Sequence, residues 1–495
     1  MRMRLLRRSL LVALAAATVT ATGGCQSEPE GVVGVVVIDG DPRLVTPGTR
    51  PLTSSEAVLI DNVAQGLVSF DARGQIEPGL AETWNVSDDG LSYIFRLANG
   101  DWPDGRKITA EQVARMLRKM IAPPDSDRLD DAFGAVEDIV AMTDRVLEIR
   151  LKEPRPHLLQ LLAQPEMGLV REEQGTGPFT IDRANSRDGT VRLTREVALP
   201  DEEQTEREQL NLSGAKAQEA IRAFVSGTAD LVLGGTFADL PYVPRDTLSR
   251  GALQFDPASG LFGLIPARDG GPMANPEVRQ LLSAAIDREA FIAALAVPGL
   301  VPRATVLEPG LANIPDPVPP DWATTPTVDR QPALKAAAER LFENEDKTPV
   351  IRVALPPGPG SDVLFERLSQ DWGGLGIDVK RVGIDETADL RLVDEVAPSA
   401  AASWFLRHFR CGAAKICAEQ VDEKLDGARN AAILAQRTAF LSEASRQIDS
   451  LQLFIPIAAP IRWSLVSQRI SGFAGNRFAI HTLTGLERQL NRTGE

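Results

Sequence analysis

The sequence reads as an α/β protein of several lobes, and three observations carry that reading. The first is size: 495 residues exceed what one hydrophobic core organises, so about two or three domains are expected. The second is the stretch Gln65–Met120, where short strand-like runs separated by turns lead into a helix. The third is Ile351–Val382, where a strand pattern (Ile351–Leu355), a helical pattern (Val363–Trp372) and a second strand pattern (Gly376–Val382) alternate. Such alternation predicts a βαβ unit and a mixed or parallel sheet.

The elements follow in chain order. Residues 1–25 have the form of an export leader: an arginine-rich start, an apolar run over Leu10–Val19, then small residues. Thr22-Gly23-Gly24-Cys25 resembles a lipobox in which Cys25 is lipidated, although the usual leucine three residues before the cysteine is missing. An ordinary signal peptide cut between Ala21 and Gly24 is the alternative, and Arg7-Arg8 also permits a twin-arginine route. No later run is long enough to span a membrane. Gln26–Glu30 is read as a tether, and Val32–Ile38, apolar throughout, as a buried strand. In Leu91–Leu97 the apolar Leu91, Tyr93, Phe95 and Leu97 alternate with Ser92, Ile94 and Arg96, and Asp89-Gly90 and Asn99-Gly100 supply turns at both ends. Thr109 with Gln112 forms a capping-box pattern ahead of Val113, Met116, Leu117 and Met120 at helical spacing. Ala217, Ala220, Ile221, Phe224 and Val225 form a helical stripe ended by Ser226-Gly227. A helix then opens at Asn275-Pro276, and Ile314–Pro332 is proline-rich and expected to be an extended connector. Ile433, Leu434, Phe440, Leu441, Ala444 and Ile448 line a long helix, and Phe454–Ala458 begins a final strand.

Several ordered pieces resemble the extracytoplasmic solute-binding proteins of peptide- and nickel-type ABC importers, family 5. They are Gly66-Leu67-Val68 with Asp71 and Gly74, Pro78-Gly79-Leu80-Ala81-Glu82-Thr83-Trp84, Ser87-Asp88-Asp89-Gly90-Leu91, and Trp102-Pro103-Asp104-Gly105 leading to Thr109-Ala110-Glu111. Gly175-Thr176-Gly177-Pro178-Phe179, the unit Ala229-Asp230-Leu231-Val232-Leu233 and Ala284-Ala285-Ile286-Asp287-Arg288-Glu289 continue the resemblance in order. It implies a periplasmic-binding-protein-like class II fold, with two main α/β lobes, an extra α+β domain and a hinged cleft. The implied division is 31–55 with 171–262 and 455–495 as lobe I, 56–170 as extra domain II, and 263–454 as lobe III. The implied function is capture of a peptide or other small solute for delivery to a permease and its ATPase subunits, by a monomer that performs no catalysis and needs no cofactor. A diverged envelope lipoprotein with a sensing or interaction role is the alternative. Weak matches over Val191–Glu208 motivate it.

Charge and composition exclude other classes. The formal net charge is −15, and because Arg2, Arg4, Arg7 and Arg8 lie in the leader the remainder carries −19, which argues against a nucleic-acid partner. The histidines His157, His408 and His481 are isolated in sequence and no GxSxG is present, so neither a serine hydrolase nor a zinc site is expected. Gly358-Pro359-Gly360-Ser361-Asp362 lacks the lysine of a phosphate loop and reads as a turn with Ser361 or Asp362 capping a helix. Asp88 and Asp89, like Asp130 and Asp131, read as solvated turns. Cys411 and Cys417 are expected to form a disulfide, two free thiols being the alternative.

Peptide-binding members of the resembled family place an acid shortly after a tryptophan of the third domain, where it meets the peptide ammonium. Here Ser403-Trp404-Phe405-Leu406-Arg407-His408-Phe409-Arg410-Cys411 matches that segment, with Arg407 where the acid is expected. Arginine would repel an ammonium, so the usual mode of peptide binding is in question; Arg407 and Arg410 suit a carboxylate or phosphate instead. Surface arginines paired with local acids are the alternative. By analogy with the family, the loop Gly40–Leu44 with Arg43 and Leu44, the Trp404–Cys411 segment and Gly260–Arg268 border the ligand, with Trp404 as a stacking platform. Aromatics are sparse: the tyrosines are Tyr93 and Tyr242, beside six tryptophans.

Overall fold

The computed structural model describes residues 31–48, 50–121, 133–187, 189–198, 205–343 and 348–488. Cys25, the leader, the tether, Asp130, Asp131 and residues 489–495 lie outside the described residues.

Two large sheets and one smaller sheet organise the chain. The seven-stranded sheet runs Leu253–Phe255, Arg462–Val466, Leu231–Thr236, Val32–Ile38, Thr205–Ala215, Thr190–Ala198, Thr180–Ile181. Its centre is Val32–Ile38, parallel to both neighbours and buried along nearly all its length. This is why the run is apolar without alternation. Gly34 lies where a Cβ would come within 2.8 Å of the Thr228 carbonyl oxygen, and its N–H donates to Asp230 Oδ2 at 3.0 Å. Asp230, the acid of the helix–glycine–acid–strand unit, also pairs with Arg469 at 2.9 Å and so ties three segments together.

The smaller sheet is four-stranded and antiparallel: Ala81–Val86, Ser92–Leu97, Val146–Leu151, Val136–Thr143. Tyr93, Phe95 and Leu97 face a core shared with Val113 and Leu117 of the helix Ala110–Ile121, while Ile94 points outward. The capping at Thr109 is one-sided. Its hydroxyl accepts from the Gln112 N–H at 3.4 Å, but the Gln112 side chain accepts instead from the Trp102 indole at 3.0 Å.

The five-stranded sheet runs Asp378–Val382, Val350–Ala354, Leu390–Val396, Gly260–Pro266, Ile455–Ala458. Val350–Ala354 and Asp378–Val382 are parallel and joined by the helix Pro359–Gly373, the βαβ unit expected from the sequence. Trp372 on that helix is fully buried and donates to the Leu282 carbonyl at 3.0 Å. A separate apolar cluster, with Phe405, Phe409, Val421, Leu441 and Ile448, joins the helices Ala402–Arg407, Glu419–Arg429 and Leu434–Ser450. Ile433 is 62% exposed and precedes that last helix rather than lining it.

Three local expectations are corrected. Ile455–Ala458 pairs with Gly260–Pro266, not with the seven-stranded sheet, so a lobe I starting at 455 takes in a whole strand of the five-stranded sheet, and a boundary at 262 cuts through another. The chain instead passes between the large sheets at 256–259 and 459–461. The proline-rich connector ends early, because Thr327–Leu341 is a helix with Pro332 inside it. Neither Ser361 nor Asp362 caps the helix at Gly358; Asp362 pairs with Arg381.

Candidate solute-binding cleft

The crossings bring the C-terminal ends of strands from both large sheets to one place. There Val37, Leu233 and Thr236 of the seven-stranded sheet face Asp394, Glu395 and Val396 of the five-stranded sheet across a cavity of about 500 Å³. The helix Ser54–Val63 presents Ser54, Ala57, Val58 and Asp61 to it, positions that share a face at helical spacing. A capping box fixes the start of that helix: Thr53 accepts from the Glu56 N–H, and the Glu56 carboxylate accepts from the Thr53 N–H. The tail contributes Phe478–His481, held in place where the Leu483 N–H donates to Asn62 Oδ1 at 2.9 Å. A neighbouring pocket of about 260 Å³ shares Asp61 and Pro165 with this cavity and forms a side limb bordered by Gln65, Ser69, Glu77, Gln164 and Arg195.

Basic groups around this space are engaged. Arg462 Nη1 lies 2.8 Å from Asp394 Oδ1 and Nη2 donates to the Asp394 carbonyl at 3.0 Å, joining the two large sheets. Burial pushes the Asp394 carboxyl above its ordinary range while Arg462 pulls it back. Arg195 pairs with Glu208 at 2.6 Å, and buried His481 sits 3.2 Å from Asp256. Asp61 differs. Partly accessible from the cavity and otherwise enclosed by protein, it makes no hydrogen bond or ion pair among the described residues. Burial first, then the nearby Glu77 charge, pushes its carboxyl up to about 7, with His481 opposing.

The residues expected from the sequence lie elsewhere. The Arg43 side chain is 75% exposed and lies 4.0 Å from Asp41; Leu44 packs on the apolar cluster of the first strand. Trp404 is 6% exposed, edge-on to Phe405 and His408, and packs in an apolar cluster with Phe405 and Phe409 instead of lining this cavity. With Arg155, His157, Arg407 and Arg437 it borders a second, tighter pocket of about 60 Å³. Arg410 pairs with Asp426 at 2.6 Å, and Cys411 is joined to Cys417 in a disulfide. The reason is register. The strand that reaches the cleft ends at Val396, so the cleft wall comes from Asp394–Val396, and the helix Ala402–Arg407 then carries Trp404 into packing. Gly260–Pro266 is likewise a central strand rather than a cleft loop. At Gly358–Asp362 the Gly360 N–H already donates to the Ala238 carbonyl at 2.9 Å, so no anion cradle forms. Among the described residues no group of His, Cys, Asp or Glu could hold a metal ion.

The sequence profile of the bacterial extracellular solute-binding proteins, family 5 (middle region), matches residues 75–409, well over half the chain. The chain is a family 5 solute-binding protein. It is thus the substrate-binding component of an ABC importer, with an extracytoplasmic place of work. No described helix of this family 5 protein is long and apolar enough to cross a membrane. It is 23% identical to the probable di/tripeptide-binding protein 5 of Pseudomonas aeruginosa, over 95% of both chains. A shorter match, 28% identical, links 26% of it to 27% of the probable deoxycholate-binding periplasmic protein YgiS of Escherichia coli. Among solved structures the murein tripeptide-binding protein MppA of Escherichia coli superposes with a TM-score of 0.77 at 17% identity, covering 93% of this chain and 99% of that one. That likeness establishes the periplasmic-binding-protein fold.

Proposed function

We propose that this family 5 protein captures a small peptide or peptide-like solute in the cavity between its two large sheets and hands it to a membrane permease driven by ATPase subunits. The observation that carries the proposal is the cavity. It lies at the chain crossings, takes walls from both sheets, and falls in the size range of ligand sites, roughly 300–1,000 Å³. Rotation of one sheet and its helices about 256–259 and 459–461 would open and close it by a hinge movement. The peptide-binding names of several relatives support a peptide-sized ligand. The open cavity supports capture over the sensing alternative, which would be favoured by a cleft filled with side chains. Binding and release involve no covalent chemistry in this reading. Residues 1–25 direct export, Cys25 carries a lipid anchor, and the mature protein works as a monomer.

A thermal-shift screen of short peptides, amino-acid derivatives, sugars and anionic metabolites tests this. A true ligand at a hundredfold excess over Kd stabilises the protein by about 2.7 kcal/mol. Absence of a shift from every class overturns solute capture in this cavity. Mass spectrometry of the mature N-terminus tests the anchor separately: diacylglycerol on Cys25 supports it, and a cut elsewhere removes it.

A further inference from the structure

The narrower limb of the cavity holds a charge imbalance that the protein alone leaves open. Two carboxylates, Asp61 and Glu77, border it. Every basic side chain bordering either part of the space is committed elsewhere: Arg195 to Glu208, Arg462 to Asp394, and His481 to Asp256. The other acids nearby have partners. Glu56, on the same helix as Asp61, pairs with Arg50 at 2.6 Å, and Glu395, across the cavity, lies 3.4 Å from His408. Gln164, a neutral neighbour, donates to the Pro398 carbonyl at 2.6 Å. Among the described residues neither Asp61 nor Glu77 forms an ion pair: only the charge of His481, itself paired with Asp256, favours ionised Asp61, and Glu77 has the neutral Ser69 hydroxyl.

We infer that the limb between Asp61 and Glu77 receives a cationic group of the solute, a protonated amine or a guanidinium. This rests on the capture reading above and names the charge of what is captured. Without the solute, burial and like charge disfavour ionised Asp61 and Glu77, and both carboxyls titrate above their ordinary ranges. A bound cation reverses the balance: the carboxylate is held ionised, at close range and in a poorly solvated place, by a charge-assisted hydrogen bond. The site lies on the seven-stranded-sheet side of the cavity. It is distinct from the Trp404–Arg407 segment of the opposite lobe, where the sequence pattern directs attention. A proton leaves Asp61 when the cation binds, so affinity rises with pH as long as the amine stays charged. With Asp61 titrating near 7 when empty and ionised when occupied, affinity rises roughly twentyfold from pH 5.5 to 7.5.

The test uses matched probes: tri-alanine, alanyl-phenylalanine and cadaverine, each beside its fully N-acetylated twin. Affinities are measured by calorimetry at pH 5.5, 6.5 and 7.5 on the wild type, Asp61→Asn and Glu77→Gln, with circular dichroism confirming that each variant is folded. Three results support the inference together: binding of a free-amine probe at least tenfold tighter than its twin, a rise with pH, and loss of both the preference and the pH slope in Asp61→Asn. Two results overturn it while leaving solute capture intact: acetylated twins that bind as well as the amines, or an Asp61→Asn protein with wild-type affinity and slope. If no member of either series binds, solute capture of this class fails, and the inference falls with it.

Discussion

The cavity between the large sheets and the pocket beside Trp404 are both lined by charge, yet they differ in what that charge still lacks. Around Trp404 the aromatic is packed on Phe405 and His408, Arg410 has Asp426, and the space is about 60 Å³. Between the sheets the space is several times larger, and Asp61 opens onto it with no partner among the described residues. Charged side chains in a cleft do not by themselves mark a ligand site. The informative feature is a desolvated group whose counter-charge the fold does not supply.

The comparison breaks most readily at Trp404. If its role is packing, Trp404→Ala costs about 3–5 kcal/mol of stability, the usual result of emptying a core position of an aromatic. Ligand affinity per folded molecule should stay within twofold of wild type. Urea unfolding alongside calorimetry checks both, and a stable variant that no longer binds would move the site to the tighter pocket. Next comes the link between the sheets. Arg462→Met leaves Asp394 buried without its cation, and about 3 kcal/mol should be lost at pH 7. The loss shrinks toward pH 4, because a protonated Asp394 needs no counter-charge; a loss that did not vary with pH would contradict this account.

Asp61→Asn sharpens the comparison with the opposite sign. The folded-state pKa of about 7 lies above that of the unfolded chain, so ionisation of Asp61 opposes the fold, and this penalty is absent only where both states are protonated. As pH rises from 4 to 7 the unfolded chain ionises first, and stability falls by at most about 4 kcal/mol, less where cavity water reaches the carboxylate. The ligand-free variant should therefore be more stable than wild type at pH 8 and equal to it below about pH 4. Equal stability at both pH values would mean that the carboxylate is well solvated, and would weaken the case for a missing cation.

Much of the architecture was legible because it rests on local pattern. The unbroken apolar Val32–Ile38, the turn-bracketed alternation of Leu91–Leu97 and the βαβ order of Ile351–Val382 each state their burial in a few residues. The Thr327–Leu341 helix was hidden because proline normally marks the end of such an element, yet Pro332 lies within it. The cleft was hidden for another reason: Asp61, Asp394, Arg462 and His481 come from four distant segments and meet only where the chain crosses between sheets. One signal was present. Asp61 and Asn62 interrupt the otherwise apolar Ala57–Val63, and a charge set beside buried helix positions calls for either a partner or a cavity.

The smallest expected effect completes the contrast. Arg43 belongs to the loop that follows the first strand, close in sequence to Val37 on the cleft wall, but its side chain is mostly in solvent and its approach to Asp41 is a long 4.0 Å. Exposed pairs of that geometry contribute little, since side-chain entropy and screening cancel most of the attraction. Arg43→Ala should leave stability within about 0.5 kcal/mol of wild type and leave solute affinity unchanged. A tenfold loss of affinity in that variant would show that the loop folds over the ligand when the lobes close. The cation-binding limb at Asp61 would then be one end of a longer site rather than its centre.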